Sequence, residues 1–273
     1  MTITTRQAVS PAEAKGFDTA ALRQAFLIGD LFAAGEVRMT YAHLDRTVIG
    51  GAMPAGGSLE LPAPKPIGNP RFCDRREIGV FCIAGSGAGI ADGQTVEMTA
   101  TDCLYVPMGT KSVVFSGDAR FYFVSTPAHH AHELRKITAD DAIRQDLGAQ
   151  ASVNVRTLRQ YIHPEVCDSC QLVMGMTVIA EGSAWNTMPC HTHDRRSEVY
   201  LYFDMADDAR VFHFMGEPDE TRHMVIANEQ VILSPGWSIH CGAGTGPYAF
   251  IWSMAGDNQD FTDMDFIAME DLR

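Results

Sequence analysis

The chain has 273 residues, 46% of them hydrophobic and 20% charged, with 24 glycines and 13 prolines; this excludes a disordered or fibrous protein and fits one or two folded, turn-rich domains. A net charge of −13, with Lys and Arg spread thinly, argues against a nucleic-acid partner because such a surface repels phosphate. Seven cysteines without a regular framework read as reduced thiols, and there is neither a signal-peptide core nor an apolar run approaching a membrane span, so the expected location is the cytoplasm, with no membrane partner.

Residues 1–16 read as an arm with weak order. A helix is predicted from Asp18, which can cap it; Leu22, Phe26, Leu27 and Leu31 recur at helical spacing and Gly35 can stop it. Periodicity of that kind is accounted for by burial alone. Residues 1–36 are therefore expected to be an arm and a packing helix, 37–150 a first β domain and 151–273 a second. A strand begins at Val37, and Gly and Pro then mark turns and an extended linker as far as Pro70. From 71 to 126 short strands alternate with glycine-rich turns. The run Gly85-Ser86-Gly87-Ala88-Gly89 lacks the Lys-Ser/Thr ending of a phosphate loop, and a hairpin turn is expected there. Residues 127–150 form a connection with a predicted helix near 139–147; His129, His130 and His132 within it suit either a surface metal tract or a loop near a shared interface. Strands resume from 151, and the acidic tail 255–273 carries no assigned chemistry.

The stretch PCHTHDRRSEVY, Pro189 to Tyr200, concentrates the chemistry. His191 and His193 are two apart, so on a strand both imidazoles leave one face with Cα atoms roughly 6.5–7 Å apart, close enough to share an ion. A polar break, Asp194 to Ser197, then lets Glu198 start a second strand beside the first and return a carboxylate to the histidines. Downstream, an apolar run stops at Pro235-Gly236, and His240 follows on the next strand as the fourth candidate ligand. The pattern H-x-H-x4-E followed by P-x-G-x2-H resembles the paired signatures of the cupin superfamily, in which three His and one Glu hold a divalent metal inside a small β-barrel.

The halves echo each other. Cys73-Asp74-Arg75-Arg76-Glu77 mirrors His193 to Glu198, and Val106 to Ser112 mirrors Ser234 to His240. The first copy has Arg71, Cys73 and Ser112 where the second has His191, His193 and His240, so it cannot hold a metal in the same way. The fold class expected is mainly β, a bicupin of two tandem jelly-roll barrels with an N-terminal helix and short connecting helices and a single metal site in the second half. Cys190 and Cys241 have the opposite strand parity to the ligands beside them and should face away, and Cys167 and Cys170 read as structural thiols. Tyr200 and Tyr202 share strand parity with Glu198 and are candidate catalytic groups, explained equally well as core aromatics. Arg222 and His223 are candidates for holding a substrate carboxylate, or form a solvated rim.

Three longer segments, 186–196, 209–218 and 254–266, together with 104–110 and 124–130, resemble the 5-keto-4-deoxyuronate isomerase family across nearly the whole chain. The resemblance implies a zinc-dependent bicupin, a hexamer, acting on a small anionic sugar acid in the breakdown of pectin-derived uronic acids. By motif the family's zinc ligands fall on His191, His193, Glu198 and His240, all present here; the glycine that follows the Glu in the general cupin signature is missing from 199–205. The implied activity is a ketol isomerisation through an enediolate, whose negative oxygen a divalent ion stabilises. Other readings of the same ligands are a cupin dioxygenase using iron, nickel or manganese, and a non-catalytic sugar-acid-binding cupin.

Overall fold

β-branched and aromatic residues alternating at period two dominate the chain, and in a computed structural model, which describes residues 2–273, they form sheets. Among these residues the chain gathers into two compact units. One takes residues up to Arg6, Asp30–Ile143 and Gln160–Met174; the other takes Gln7–Gly29, Arg144–Arg159 and Gly175–Arg273. The first 36 residues are thus shared between the units instead of forming a piece of their own.

The first unit is built on a nine-stranded sheet. Its two long central strands, Arg76–Ala91 and Val113–Pro127, pair antiparallel along nearly their whole length. Phe115 stacks on Phe121 and Phe123 at 5.2 and 5.8 Å, and Phe72 and Cys73 join the same buried cluster. The glycine run 85–89 lies inside the long strand and makes no turn there. Its glycines serve close packing: a Cβ on Gly85 or Gly87 would sit 2.1 Å from the Asp118 or Ser116 carbonyl oxygen. The hairpin turn falls instead at Asp92 and Gly93, both at positive φ.

A seven-stranded sheet supplies most of the second unit, in the order Ile143–Leu147, Arg156–Ile162, Val173–Ile179, Ala249–Gly256, Arg196–Phe203, Gln230–Ser234, Leu27–Ile28. A four-stranded sheet runs Trp185–Asn186, Cys241–Gly244, Val211–Glu217, Glu220–Ile226. Three local expectations need correction. The arm is ordered: Thr2–Arg6 pairs parallel with the strand Glu36–Ala42, and Ser10 and Glu13 form a capping box on a one-turn helix. The Asp18-capped helix is shorter than predicted, Thr19–Phe26, because the apolar residues Leu27 and Ile28 pair with Val231 and Ile232 as a strand. The predicted helix near 139–147 is a turn followed by the strand Ile143–Leu147; the Asp141 carboxylate accepts from Thr138 N–H and Oγ, which fixes the turn. No helix among the described residues is long and apolar enough to cross a membrane.

Candidate active site

Strand Arg196–Phe203 carries Glu198 at the centre of the second unit, opposite Ser234 on one side and Met254 on the other. His191 lies on the two-residue strand His191–Thr192, which does not pair with the Glu198 strand as expected but with Asp265–Phe266 of the C-terminal tail. The two motifs are laced together directly: His193 N–H donates to the Gly236 carbonyl, and a Cβ on Gly236 would lie 2.6 Å from the His193 oxygen. Glycine in the Pro-Gly turn is thus required by the backbone that carries the histidines.

His191, His193, Glu198 and His240 are all buried and converge. His191 Nε2 lies 3.1 Å from both His193 Nε2 and His240 Nε2, and the Glu198 oxygens lie 3.2 Å from His193 Nε2 and from His240 Nε2. A tetrahedral ion with bonds of roughly 2.0–2.1 Å has ligand–ligand edges of roughly 3.3 Å. Three ligand nitrogens all within 4.8 Å of one another form the only such group of three or more His, Cys or acidic residues among the described residues.

The donor pattern fits an ion as well. His193 Nδ1 donates to the Asp263 carbonyl at 3.0 Å and His240 Nδ1 to the Ser238 carbonyl at 3.3 Å, so both Nε2 lone pairs point inward. They meet Glu198, whose Oε2 is buried and accepts no hydrogen bond. Lone pairs facing a carboxylate repel unless a proton or a cation sits among them. Burial holds His191 protonation down to about 2 and lowers that of His240. Burial also opposes charge on His193, but the Glu198 carboxylate outweighs it and raises that imidazole. Glu198 is held low in spite of its burial, by His240 and His193. The site is therefore a negative charge ringed by imidazole nitrogen donors, which suits a divalent cation.

The pocket in front of these ligands has a volume of about 290 Å³, near the lower end of the roughly 300–1,000 Å³ that small-ligand sites span. Alternate residues of adjacent strands supply its floor: Gln145 and Leu147, Arg156 and Leu158, Thr177, Glu198 and Tyr200, and Phe250, Trp252 and Met254. Its outer wall is the tail, through Phe261, Met264 and Phe266. That tail, which carries no recognisable motif, is pinned by two neighbouring arginines: Arg195 Nε holds both oxygens of Asp263, and Arg196 donates to the carbonyls of Asp260 and Asp263. The Asp263 carbonyl is the same one that orients His193.

The other candidates separate cleanly. Tyr200 lines the pocket, with its hydroxyl 3.3 Å from Thr187 Oγ1, and burial keeps it protonated. Tyr202 has the same parity but lies outside the lining, its hydroxyl 2.8 Å from His213 Nδ1. Cys190 and Cys241 lie outside the lining in a buried apolar cluster with Ile239. Of the two readings of Arg222 and His223, substrate groups or a solvated rim, their place outside the pocket lining fits the second. The strand Glu220–Ile226 lies two strands from Cys241–Gly244 at the far edge of the four-stranded sheet. There Arg222 binds the Phe17 and Lys15 carbonyls, and exposed His223 packs near Phe212 and Phe214. His130 and His132 line a separate polar cleft in the first unit with Glu133, Arg135, Cys167 and Asp168.

The fold is that of a cupin-type β protein, with a buried histidine cluster that could hold a metal ion. Solved structures agree on the fold: an IolB-like protein from Salmonella typhimurium matches with a TM-score of 0.67 at 18% identity, over 81% of this chain and 86% of that one. Oxalate decarboxylase from Lactobacillus farciminis matches with a TM-score of 0.56 at 12% identity, over 82% and 78%. Residues 36–269 match the KduI/IolB family profile, and the chain belongs to that family. Relatives named 4-deoxy-L-threo-5-hexosulose-uronate ketol-isomerase are 54% identical in Cereibacter sphaeroides, covering 98% of each chain, and 52% identical in Halalkalibacterium halodurans, covering 98% of this chain and 99% of that one. The Agrobacterium fabrum relative of the same name is 50% identical over 100% of both.

Proposed function

We propose that this protein is a ketol-isomerase that interconverts 4-deoxy-L-threo-5-hexosulose uronate and 3-deoxy-D-glycero-2,5-hexodiulosonate during uronate breakdown. Full-length similarity to relatives carrying that activity in their name supports the reaction. The single structural observation that carries it is the convergence of His191, His193, His240 and Glu198 beside a pocket of small-ligand size. The ion in this reading is zinc, one per subunit, held by those four residues. When bound it supplies a Lewis acid for the carbonyl and hydroxyl oxygens at the reacting end of the sugar.

The reaction moves hydrogen within one molecule. The aldehyde carbon gains a C–H bond, the neighbouring carbon loses one, and the hydroxyl proton passes between the two oxygens, so no oxidant or reductant is consumed. The chain's own groups divide the work. Tyr200, kept protonated by burial, donates to a substrate oxygen from inside the pocket. Trp252, Phe250 and Phe261 shield the reacting end of the sugar from bulk water and so protect the enediolate from side reactions. Seven free thiols suit a reducing cytoplasm, and the assembly in this reading is a homo-hexamer.

The test is an NMR assay of the purified protein on the 4-deoxy-5-ketouronate, with metal analysis and a chelator arm. Redox-neutral conversion that stops on chelation and returns with zinc is the expected result. Oxygen uptake during turnover would replace the isomerase by a dioxygenase, and metal-dependent binding without conversion would replace it by a binding protein. Sedimentation of the same sample checks the hexamer.

A further inference from the structure

A uronate carries its carboxylate at the opposite carbon from the aldehyde, so a site that holds the reacting end must also meet an anion some distance away. The chain is poorly suited to that in general, with a net charge of −13. One cation nevertheless faces the pocket. Arg156 is the only Arg or Lys among its described lining residues. Its NH1 donates to the Asn154 carbonyl at 2.9 Å, and Asn154 Nδ2 in turn donates to the Met188 carbonyl, three residues before His191. That single bond orients the guanidinium; Nε and NH2 have no protein acceptor among the described residues, and no described carboxylate forms an ion pair with it. An arginine partly withdrawn from water yet left unpaired, in a protein with 34 acidic residues, is a group waiting for an anion.

Its placement relative to the ligands suits a short sugar acid. In the sheet, strand Arg156–Ile162 is separated from the Glu198 strand by Val173–Ile179 and Ala249–Gly256. Three inter-strand steps of about 4.8 Å make roughly 14 Å across the sheet. An extended six-carbon chain together with the arginine side chain fills a gap of that order. Between the two ends lie Trp252 and Phe250, which give the methylene side of a 4-deoxy sugar an apolar floor.

We propose that Arg156 is the carboxylate anchor of this pocket and sets its preference for uronates over neutral sugars, holding the acid end of the substrate while the aldehyde end lies at His191, His193, Glu198 and His240. The proposal rests on the isomerase reading for the identity of the substrate, but not for the existence of an anion subsite. Arg156 binds and orients; it is not a proton-transfer group.

The experiment is a two-by-two cycle of wild type and Arg156→Gln against the 4-deoxy-5-ketouronate and its neutral analogue with a hydroxymethyl group in place of the carboxylate. Loss of either partner should raise KM about 10- to 100-fold with kcat changed far less, and loss of both should cost no more than loss of one. Arg156→Lys, which keeps the charge but not the fork, should recover part of the loss and guards against a variant that merely packs badly; zinc content should stay at the wild-type level in both. Additive penalties, or a KM within twofold of wild type in Arg156→Gln, would overturn the anchor and leave the isomerase standing. Should wild type not isomerise the ketouronate at all, D-galacturonate and D-galactose binding by calorimetry decides the anchor separately. Binding of the acid alone, abolished in Arg156→Gln, upholds it; equal binding of both sugars, or no effect of the variant, rejects it.

Discussion

Glu77 and Glu198 occupy corresponding places in the two halves of the sequence, and the difference in what surrounds them explains why one half carries chemistry. Glu77 is fully buried and saturated: its oxygens accept from Tyr105, Thr126 and the backbone N–H groups of Cys170, Gln171 and Leu172. Nothing is left for a ligand. Glu198, equally hidden, faces three imidazoles and keeps one oxygen without a hydrogen bond. Around them the arginines behave alike, Arg76 donating to the Arg46 and Ser125 carbonyls and Arg196 to those of Asp260 and Asp263. The same carboxylate is thus a rivet in one setting and a candidate metal ligand in the other, and the partners decide which.

The largest expected effect is at the histidines. His191→Ala should remove bound metal and lower turnover by more than about 1,000-fold, read by metal analysis and the isomerase assay. The reverse graft should fail: Arg71→His, Cys73→His and Ser112→His together should bring no second metal equivalent, because Glu77 has no free oxygen and Cys73 sits in an apolar cluster. A second equivalent would break the comparison. Glu77→Ala strands three N–H groups, that of Leu172 buried and those of Cys170 and Gln171 half-buried, together with two buried hydroxyls, and should cost about 3–5 kcal/mol in denaturant unfolding. Metal content per folded molecule should not change. Glu198→Ala should do the opposite, costing metal and activity before stability.

Smaller effects sharpen the assignment of the two tyrosines. Tyr200→Phe should lower kcat by about 100-fold with metal retained. Tyr202→Phe should cost about 1 kcal/mol of stability, through the lost bond to His213, and leave kcat nearly unchanged. The smallest concerns the tail. The Arg195 and Asn258 hydrogen bonds hold Asp263 protonation down to about 2 from an ordinary 3.8, so its carboxylate stabilises the folded tail fully above pH 4 and loses that effect as pH falls through about 2. Asp263→Asn should raise KM about threefold at pH 7. In hydrogen exchange, its difference from wild type in tail protection should vanish toward pH 2.

The clustering of these four residues was legible because its signal is compact: two histidines at strand spacing, a carboxylate five residues on, and a Pro-Gly turn before the third histidine. Strand-rich architecture was equally plain in the period-two alternation. What stayed hidden depends on distant pairing. Arg156 looks like any polar residue of an amphipathic strand until the sheet order brings it to the pocket. Arg222, next to an acidic turn, suited either a carboxylate site or a solvated rim, and it is tied to the backbone of residues 15–17. The 85–89 glycines misled because glycine marks both turns and tight strand crossings, and only a partner strand tells them apart. Likewise 143–147 has too few residues to show whether its period is helical or extended.

The Asp263 carbonyl that aligns His193 lies 70 residues further along the chain. Every strand of both large sheets precedes that residue in the chain. Truncation after Gly256 should therefore yield a protein that still unfolds cooperatively yet has a slack histidine and an unwalled cavity. Loss of the last few per cent of translation, or nibbling by a carboxypeptidase, would silence the catalyst without making it a misfolded one.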